Sequence, residues 1–272
     1  MKRIFMVLAA AALVLSLVLS FSLPSFAATR IKGKVVAYKA GNVVMKGYLA
    51  FDETIKGKRP GVLVVHEWWG HNEYVRKRAR MLAGMGYTAL ALDMYGNGKQ
   101  ANHPDDAGKF AAEVMKNAVV GEGRFMAALE FLKKQNTVDP EMIAAIGYCF
   151  GGGVVLHMAR LGIDLKGVAS FHGSLATAKP AETGVIKAKI LVLNGDADKF
   201  TTPEQIELFK KEMENAGADY QFISYPNAMH SFTNPNADMY AKKFNLPVGY
   251  NAEADKKSWV ELGKFLADIF KK

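Results

Sequence analysis

A mostly parallel β-sheet held between two helical layers is the fold class this sequence predicts, and three observations point to it. Short runs that are apolar at every position recur along the chain, among them "GVLVV" (61–65), "TALAL" (88–92) and "KILVLN" (189–194). Stretches whose apolar residues step by three and four lie between them. No internal repeat, low-complexity tract or long Pro/Ser linker breaks this alternation after the first 27 residues. A strand without polar alternation is buried on both faces, and strand and helix in strict alternation build parallel pairs with helices above and below.

In chain order, residues 1–27 come first and read as a signal peptide. Lys2 and Arg3 give a positive start, 4–21 is almost wholly apolar, and Ser25-Phe26-Ala27 offers small residues at a cleavage site. The expectation is export, to a periplasm or beyond the cell, with no stable membrane insertion once the leader is removed. Retention of the long apolar stretch as an anchor is the competing reading, against which Pro24 and the small residues weigh. No cysteine lies near the cut, so lipid attachment there is excluded.

Residues 28–272 then form one domain. "KVVAYKAGNVVMKGYLAF" (34–51) alternates around Gly41-Asn42 and predicts an N-terminal β-hairpin. The covered strands follow at 61–65, 88–92, 142–147, 167–171 and 189–194, with a further strand opening the segment 220–232. One helix carries Val75, Ala79, Leu82 and Met85 on a single stripe. A second carries Phe125, Leu129 and Leu132, and the last carries Trp259, Leu262, Leu266 and Ile269.

Half of the 272 residues are apolar, enough to bury a core without disulfide staples, and the single cysteine, Cys149, excludes an intramolecular disulfide. The formal charge of +9 comes mostly from scattered lysines. The one dense basic run, "RKRAR" (76–80), fits the wet face of a helix, and nucleic acid is not expected as a partner. A monomer is the expectation, although nothing in the pattern specifies oligomeric state.

Ligands of such sheets bind beyond the carboxyl ends of the strands, which directs attention to residues just after each apolar run. Cys149 sits there, inside Gly147-Tyr148-Cys149-Phe150-Gly151-Gly152. The G-x-C-x-G-G spacing describes a sharp strand-to-helix turn that lifts the central side chain above the sheet, with glycines where strand and helix would collide. A model thiol, of pKa about 8.5, is ionised to only about 3% at pH 7, so it needs a helix N-terminus and an imidazole to favour the thiolate. His230 follows the strand of 220–232, and two acids follow the strand of 189–194. Asp198 is preferred as the partner of His230 because it lies further out on the loop before Pro203; Asp196 stays as the alternative. The resulting order Cys, Asp, His is the order of hydrolases with this architecture. The backbone N–H of Phe150 and that of Trp68, in "VVHEWWG" (64–70), are the candidate oxyanion donors.

The chain resembles the dienelactone hydrolase family of the α/β-hydrolases over nearly all of the mature sequence from about Gly33 onward. The resemblance rests on "VVHEWWGHNEYVRKRARMLAGMGYTALALDMYG" (64–96), "IGYCFGGG" (146–153), "NGDADKFTTPEQ" (194–205) and "YPNAMHSF" (225–232). It implies an α/β-hydrolase fold and a Cys149, Asp198, His230 triad acting through an acyl-thioester on small ester or lactone substrates, with no cofactor. It also implies that Glu67 is a carboxylate controlling the thiol, since a second negative charge beside it is disfavoured. One departure stands out. Family members acting on dienelactone hold its carboxylate with two arginines, whereas here the position four after His230 is Asn234 and 97–120 contains no arginine. Trp68, Trp69, Tyr95 and Asn234 are therefore the expected pocket residues, with the tryptophans as an apolar wall.

Blander readings compete. A free cysteine is commonly core filler, and the fold can serve as a binding or thiol-redox protein; the absence of C-x-x-C argues against the latter. Peptide cleavage is a further option for an architecture that hosts many chemistries. His66 and His172 follow strands and are expected to be structural. No H-x-x-x-H, H-E-x-x-H or cysteine pair occurs, so no metal site is expected.

Overall fold

The computed structural model describes residues 29–271, so the candidate leader lies outside the described residues. Strands β1 (Ile31–Ala40) and β2 (Val43–Asp52) form the antiparallel hairpin, with Ala40 opposite Val43. Gly41 in the two-residue turn has φ 57°, the left-handed conformation that tight hairpins of this length require. The remaining strands are β3 (Arg59–Val65), β4 (Thr88–Leu92), β5 (Val138–Tyr148), β6 (Gly167–Phe171), β7 (Lys189–Gly195) and β8 (Tyr220–Tyr225). All eight join one sheet in the order β1-β2-β4-β3-β5-β6-β7-β8. Pairing is antiparallel at the hairpin edge and parallel from β4 to β8. The expected α/β fold is therefore present.

Alternate residues of each covered strand feed two cores. Leu63 and Val65 point to one side with Leu90 and Leu92; Val62 and Val64 point to the other with Ala89 and Ala91. The first side is covered by α3 (Ala118–Lys133), α4 (Phe150–Arg160) and α5 (Pro203–Ala216), and the second by α1 (Glu73–Gly84) and α7 (Ala252–Ile269). Val75, Ala79 and Leu82 are buried as expected, but α1 ends at Gly84 and leaves Met85 as a half-exposed cap.

The basic run on α1 requires a correction. Arg78 is only 4% exposed, because residue 78 falls on the stripe set by Val75, Ala79 and Leu82. Its guanidinium lies over the rings of Tyr74, Tyr148 and Trp259 at 5.2, 5.4 and 5.2 Å. It donates to the Thr233 carbonyl and to Asp255, each at 2.6 Å. A buried cation of this kind is tolerated only with such complete pairing.

Two helices lie where the sequence reading singled out none: α2 (Pro104–Lys116) and α6 (Ala237–Phe244). α2 buries only Ala107 and Val114, and α6 only Ala237. Both flank the apolar cluster around Trp69 at the carboxyl edge of the sheet.

Candidate active site

Cys149 is the single residue between the end of β5 and the start of α4, with φ 52° and ψ −115°. A non-glycine residue reaches that region only under strain, which the surroundings must impose. Here they do. A Cβ on Gly147 would lie 2.0 Å from the Gly151 carbonyl oxygen, and one on Gly151 would lie 2.5 Å from that of Val65. The glycines are therefore demanded by close backbone approach. The Cys149 N–H is shared between the Phe171 carbonyl (3.0 Å) and His172 Nδ1 (3.2 Å), while its own carbonyl accepts from Gly152 and Gly153 and opens α4.

His230 follows β8, and its Nδ1–H donates to Asp198 Oδ2 at 2.8 Å. The Asp198 side chain is fully buried and its other oxygen accepts from the Phe200 N–H at 2.8 Å. Asp196 is instead exposed, and it accepts from the Asn227 N–H at 2.6 Å to close a turn. Of the two acids, it is thus Asp198 that meets the imidazole. Burial alone would lower the His230 pKa; the opposing pull of the Cys149 sulfur and the Asp198 carboxylate wins and raises it to about 10.

The turn 66–70 is tied from several directions. His66 Nε2 accepts from the Met94 N–H (3.2 Å), which leaves the proton on Nδ1 to be donated to the Glu67 carbonyl at 2.6 Å. Burial lowers the His66 pKa to about 4, so the ring is neutral at pH 7. Tyr95 donates its hydroxyl to the Trp68 carbonyl at 3.0 Å, and the Trp69 carbonyl accepts from Ala101 N at 2.9 Å. Among the described residues, the N–H groups of Trp68 and Phe150 have no protein acceptor.

A cavity of about 350 Å³ opens beside these groups, with Cys149 and His230 in its lining. Trp68, Trp69, Phe150, Phe200 and Tyr240 supply most of its walls, and no Asp, Glu, Lys or Arg among the described residues lines it. Tyr240 of α6 stacks on Trp69 at 4.3 Å, which fixes the wall opposite the elbow.

Two expected pocket residues do not line the cavity. Tyr95 is only 2% exposed and lies beneath the 66–70 turn, where its hydroxyl is consumed by Trp68. Asn234, 1% exposed, faces Glu67 instead, because the chain reverses at Ser231 with φ 58°. Its Nδ2 donates to Glu67 Oε2 at 2.5 Å, and Ser231 Oγ donates to Oε1 at 2.9 Å. Glu67 thus spends both oxygens on the segment after His230, with no hydrogen bond to Cys149 among the described contacts. Its burial, only partly offset by those two bonds, raises its pKa.

His172 is structural, as expected, but its duty is specific. With Nδ1 accepting from Cys149, its Nε2–H donates to Thr233 Oγ1 at 2.8 Å, and Thr233 also meets the Tyr74 hydroxyl at 2.6 Å. Burial, and then the neighbouring His230, hold His172 well below its ordinary pKa. A neutral ring thereby joins the backbone of Cys149 to the segment carrying His230. Sequence reading missed Tyr240 and Leu246; Phe200, Thr201, Ser231 and Thr233, missed as well, lie within three residues of Asp198 or His230 and so had a local signal.

The dienelactone hydrolase family model matches residues 45–270. The chain belongs to the dienelactone hydrolase family. Among its relatives, a dienelactone hydrolase-like promiscuous phosphotriesterase from metagenomic libraries is 32% identical, covering 89% of this chain and 99% of that one, with a TM-score of 0.84. Protein usf of Aquifex pyrophilus is 29% identical over 81% of this chain and 98% of its own length. A candidate carboxymethylenebutenolidase of Aquifex aeolicus is 28% identical over 78% and 92%. This dienelactone hydrolase family member is accordingly a hydrolase on the α/β-hydrolase fold.

Proposed function

We propose that this hydrolase cleaves small, uncharged ester or lactone bonds through Cys149, His230 and Asp198. The observation that carries the reading is a strained cysteine and an Asp198-bonded histidine lining one apolar cavity. The Cys149 thiol gives its proton to His230, and the sulfur attacks the carbonyl carbon. The oxyanion is received by the free N–H groups of Phe150 and Trp68. His230 then returns the proton to the departing alcohol, leaving an acyl-thioester. Water, deprotonated by His230, attacks that thioester and regenerates the thiol with release of the acid. Asp198 keeps the Nδ1 proton in place throughout.

The absent arginine at Asn234 and the uncharged lining argue against a carboxylate-bearing dienelactone as substrate. Glu67, expected as a carboxylate controlling the thiol, accepts from Ser231 and Asn234 and in this arrangement ties the oxyanion turn to the base segment. The same uncharged cavity suits neutral phosphotriesters, the substrate class in the metagenomic relative's name; with an aryl ester the sulfur would attack phosphorus, aryloxide would leave, and water would then cleave the sulfur–phosphorus bond. Export through the 1–27 leader places the reaction outside the cytoplasm.

The test is turnover of aryl acetates, small lactones and an aryl phosphotriester by the purified mature chain, with mass-spectrometric trapping of the acyl group on Cys149. Thiol alkylation without any turnover would instead support a binding or thiol-redox role. Cell fractionation with and without residues 2–27 tests export.

A further inference from the structure

A second cavity, of about 490 Å³, lies beside the first and plays no part in the chemistry above. Three elements run from one into the other. On α2, Ala111 lines the catalytic cavity, and Val114 and Met115, one turn on, line the second. On α4, Phe150 lines the first, and Gly153, Val154 and His157 line the second. In the segment after β6, Ser174 lines both and Ala176 only the second. Gly153 and Ser174 face each other at the junction, where a Cβ on Gly153 would stand 3.6 Å from that of Ser174.

The second cavity follows α4 away from the elbow as far as Leu161, eight residues beyond Gly153, or about 12 Å at 1.5 Å per residue. Val114, Val154, Met158 and Leu161 supply apolar lining, while Glu122, His157, Arg160 and Lys179 add polar groups, Arg160 being paired with Glu212 at 2.8 Å. His157 and Glu122 are occupied with each other at 2.9 Å. Met115 adds a side chain that is 60% exposed.

Resting on the ester-hydrolase reading, we infer that this groove holds the extended apolar chain of the substrate, so that the enzyme's preferred esters carry a medium-length unbranched acyl or alkoxy arm. The ester group sits at Cys149, and the arm passes Gly153 and Ser174 to lie along α4. Removing methylenes from water into an apolar groove favours longer chains until the groove is filled. The junction needs small residues, which Gly153 and Ser174 are.

Two ester series test this, one varying the acyl chain and one the alkoxy chain from two to ten carbons. Wild type, Ala176→Trp and Ala118→Trp are compared; both positions are exposed and line only the second cavity. In one series kcat/KM of the wild type is expected to rise by about tenfold or more with chain length. The tryptophan variants should lose that rise and keep the two-carbon rate. A flat profile in both series, or a rise surviving both substitutions, overturns the groove assignment while Cys149-dependent turnover of two-carbon esters leaves the parent reading standing. If no ester is turned over, the parent reading falls, and calorimetric binding of 1-decanol decides the groove: binding by wild type but by neither variant supports it, and any other pattern overturns it.

Discussion

The two sides of the catalytic cavity are built by different forces. On the sheet side, Cys149, His172, His230 and Asp198 are each held by buried hydrogen bonds of 2.8 to 3.2 Å, and Glu67 and Asn234 clasp one another behind them. On the opposite side, Trp69, Tyr240 and Phe244 lean on one another by ring contact alone. Buried polar contacts are directional and costly to leave unmade, so they fix atoms where bonds break. Ring contacts are tolerant of small shifts, so they shape a space without dictating what fills it.

The sharpest way to break this contrast is Cys149→Ala. It should reduce kcat/KM for an aryl acetate by about 10³-fold or more with the melting temperature little changed. Retained turnover would place the chemistry elsewhere. Asp198→Asn leaves the shape but frees the imidazole to take the wrong tautomer, and a loss of about 10²- to 10⁴-fold in kcat is expected. His172→Phe removes one of the two acceptors of the Cys149 N–H, leaving the Phe171 carbonyl, and removes the donor to Thr233. A loss of about 10- to 100-fold in kcat at nearly constant KM is expected, partly restored in His172→Asn, which keeps a short acceptor.

The protonation of His230 supplies a test of the polar side alone. In the free enzyme the sulfur and Asp198 together hold its proton up to about pH 10. On the proposed mechanism acylation neutralises the sulfur, so burial is then opposed mainly by Asp198 and the histidine pKa falls. Deacylation, which needs the neutral base, should therefore titrate at least about one unit below the value in the free enzyme. Pre-steady-state rates of acylation and deacylation across pH 5 to 11 measure this, and the reverse order would contradict it. The smallest effect belongs to the ring-built side. Tyr240→Ala should raise KM a few-fold with kcat nearly unchanged and cost about 0.5–1.5 kcal/mol of stability for the lost Trp69 pair, read by denaturant unfolding.

How much of this was legible followed the range of the forces. The elbow could be read because strand end, strained cysteine and crowding glycines lie within six consecutive residues, 147–152. The choice of Asp198 over Asp196 was half legible: loop position favoured it, but only the Asn227 amide shows where Asp196 is spent. Tyr95 and Asn234 were misplaced because proximity in sequence says nothing of side-chain direction, and the turn at Ser231 sends Asn234 inward. Arg78 was misread because a charged run was weighed ahead of the helical stripe it interrupts. α2 and α6 were overlooked although each carries a short apolar stripe, Ala107, Phe110, Ala111 and Val114 on the one and Ala237, Tyr240 and Phe244 on the other, because the β4–β5 crossover already had its helix in α3 and no described strand follows α6 to call for one.

The sequence by itself determined the alternation of strand and helix, the hairpin at Gly41, and the candidate nucleophile with the chain order of its proposed partners, since each depends on local period or local sterics. The tertiary structure settled which acid meets His230, and it alone decided that Glu67 turns to Ser231 and Asn234, that His172 stands beneath Cys149, and that Tyr240 and Leu246 complete the cavity wall. Those outcomes join residues up to 167 positions apart. They depend on where side chains point once eight strands are in register, and hydrogen-bond geometry of that kind has no local signature in a chain.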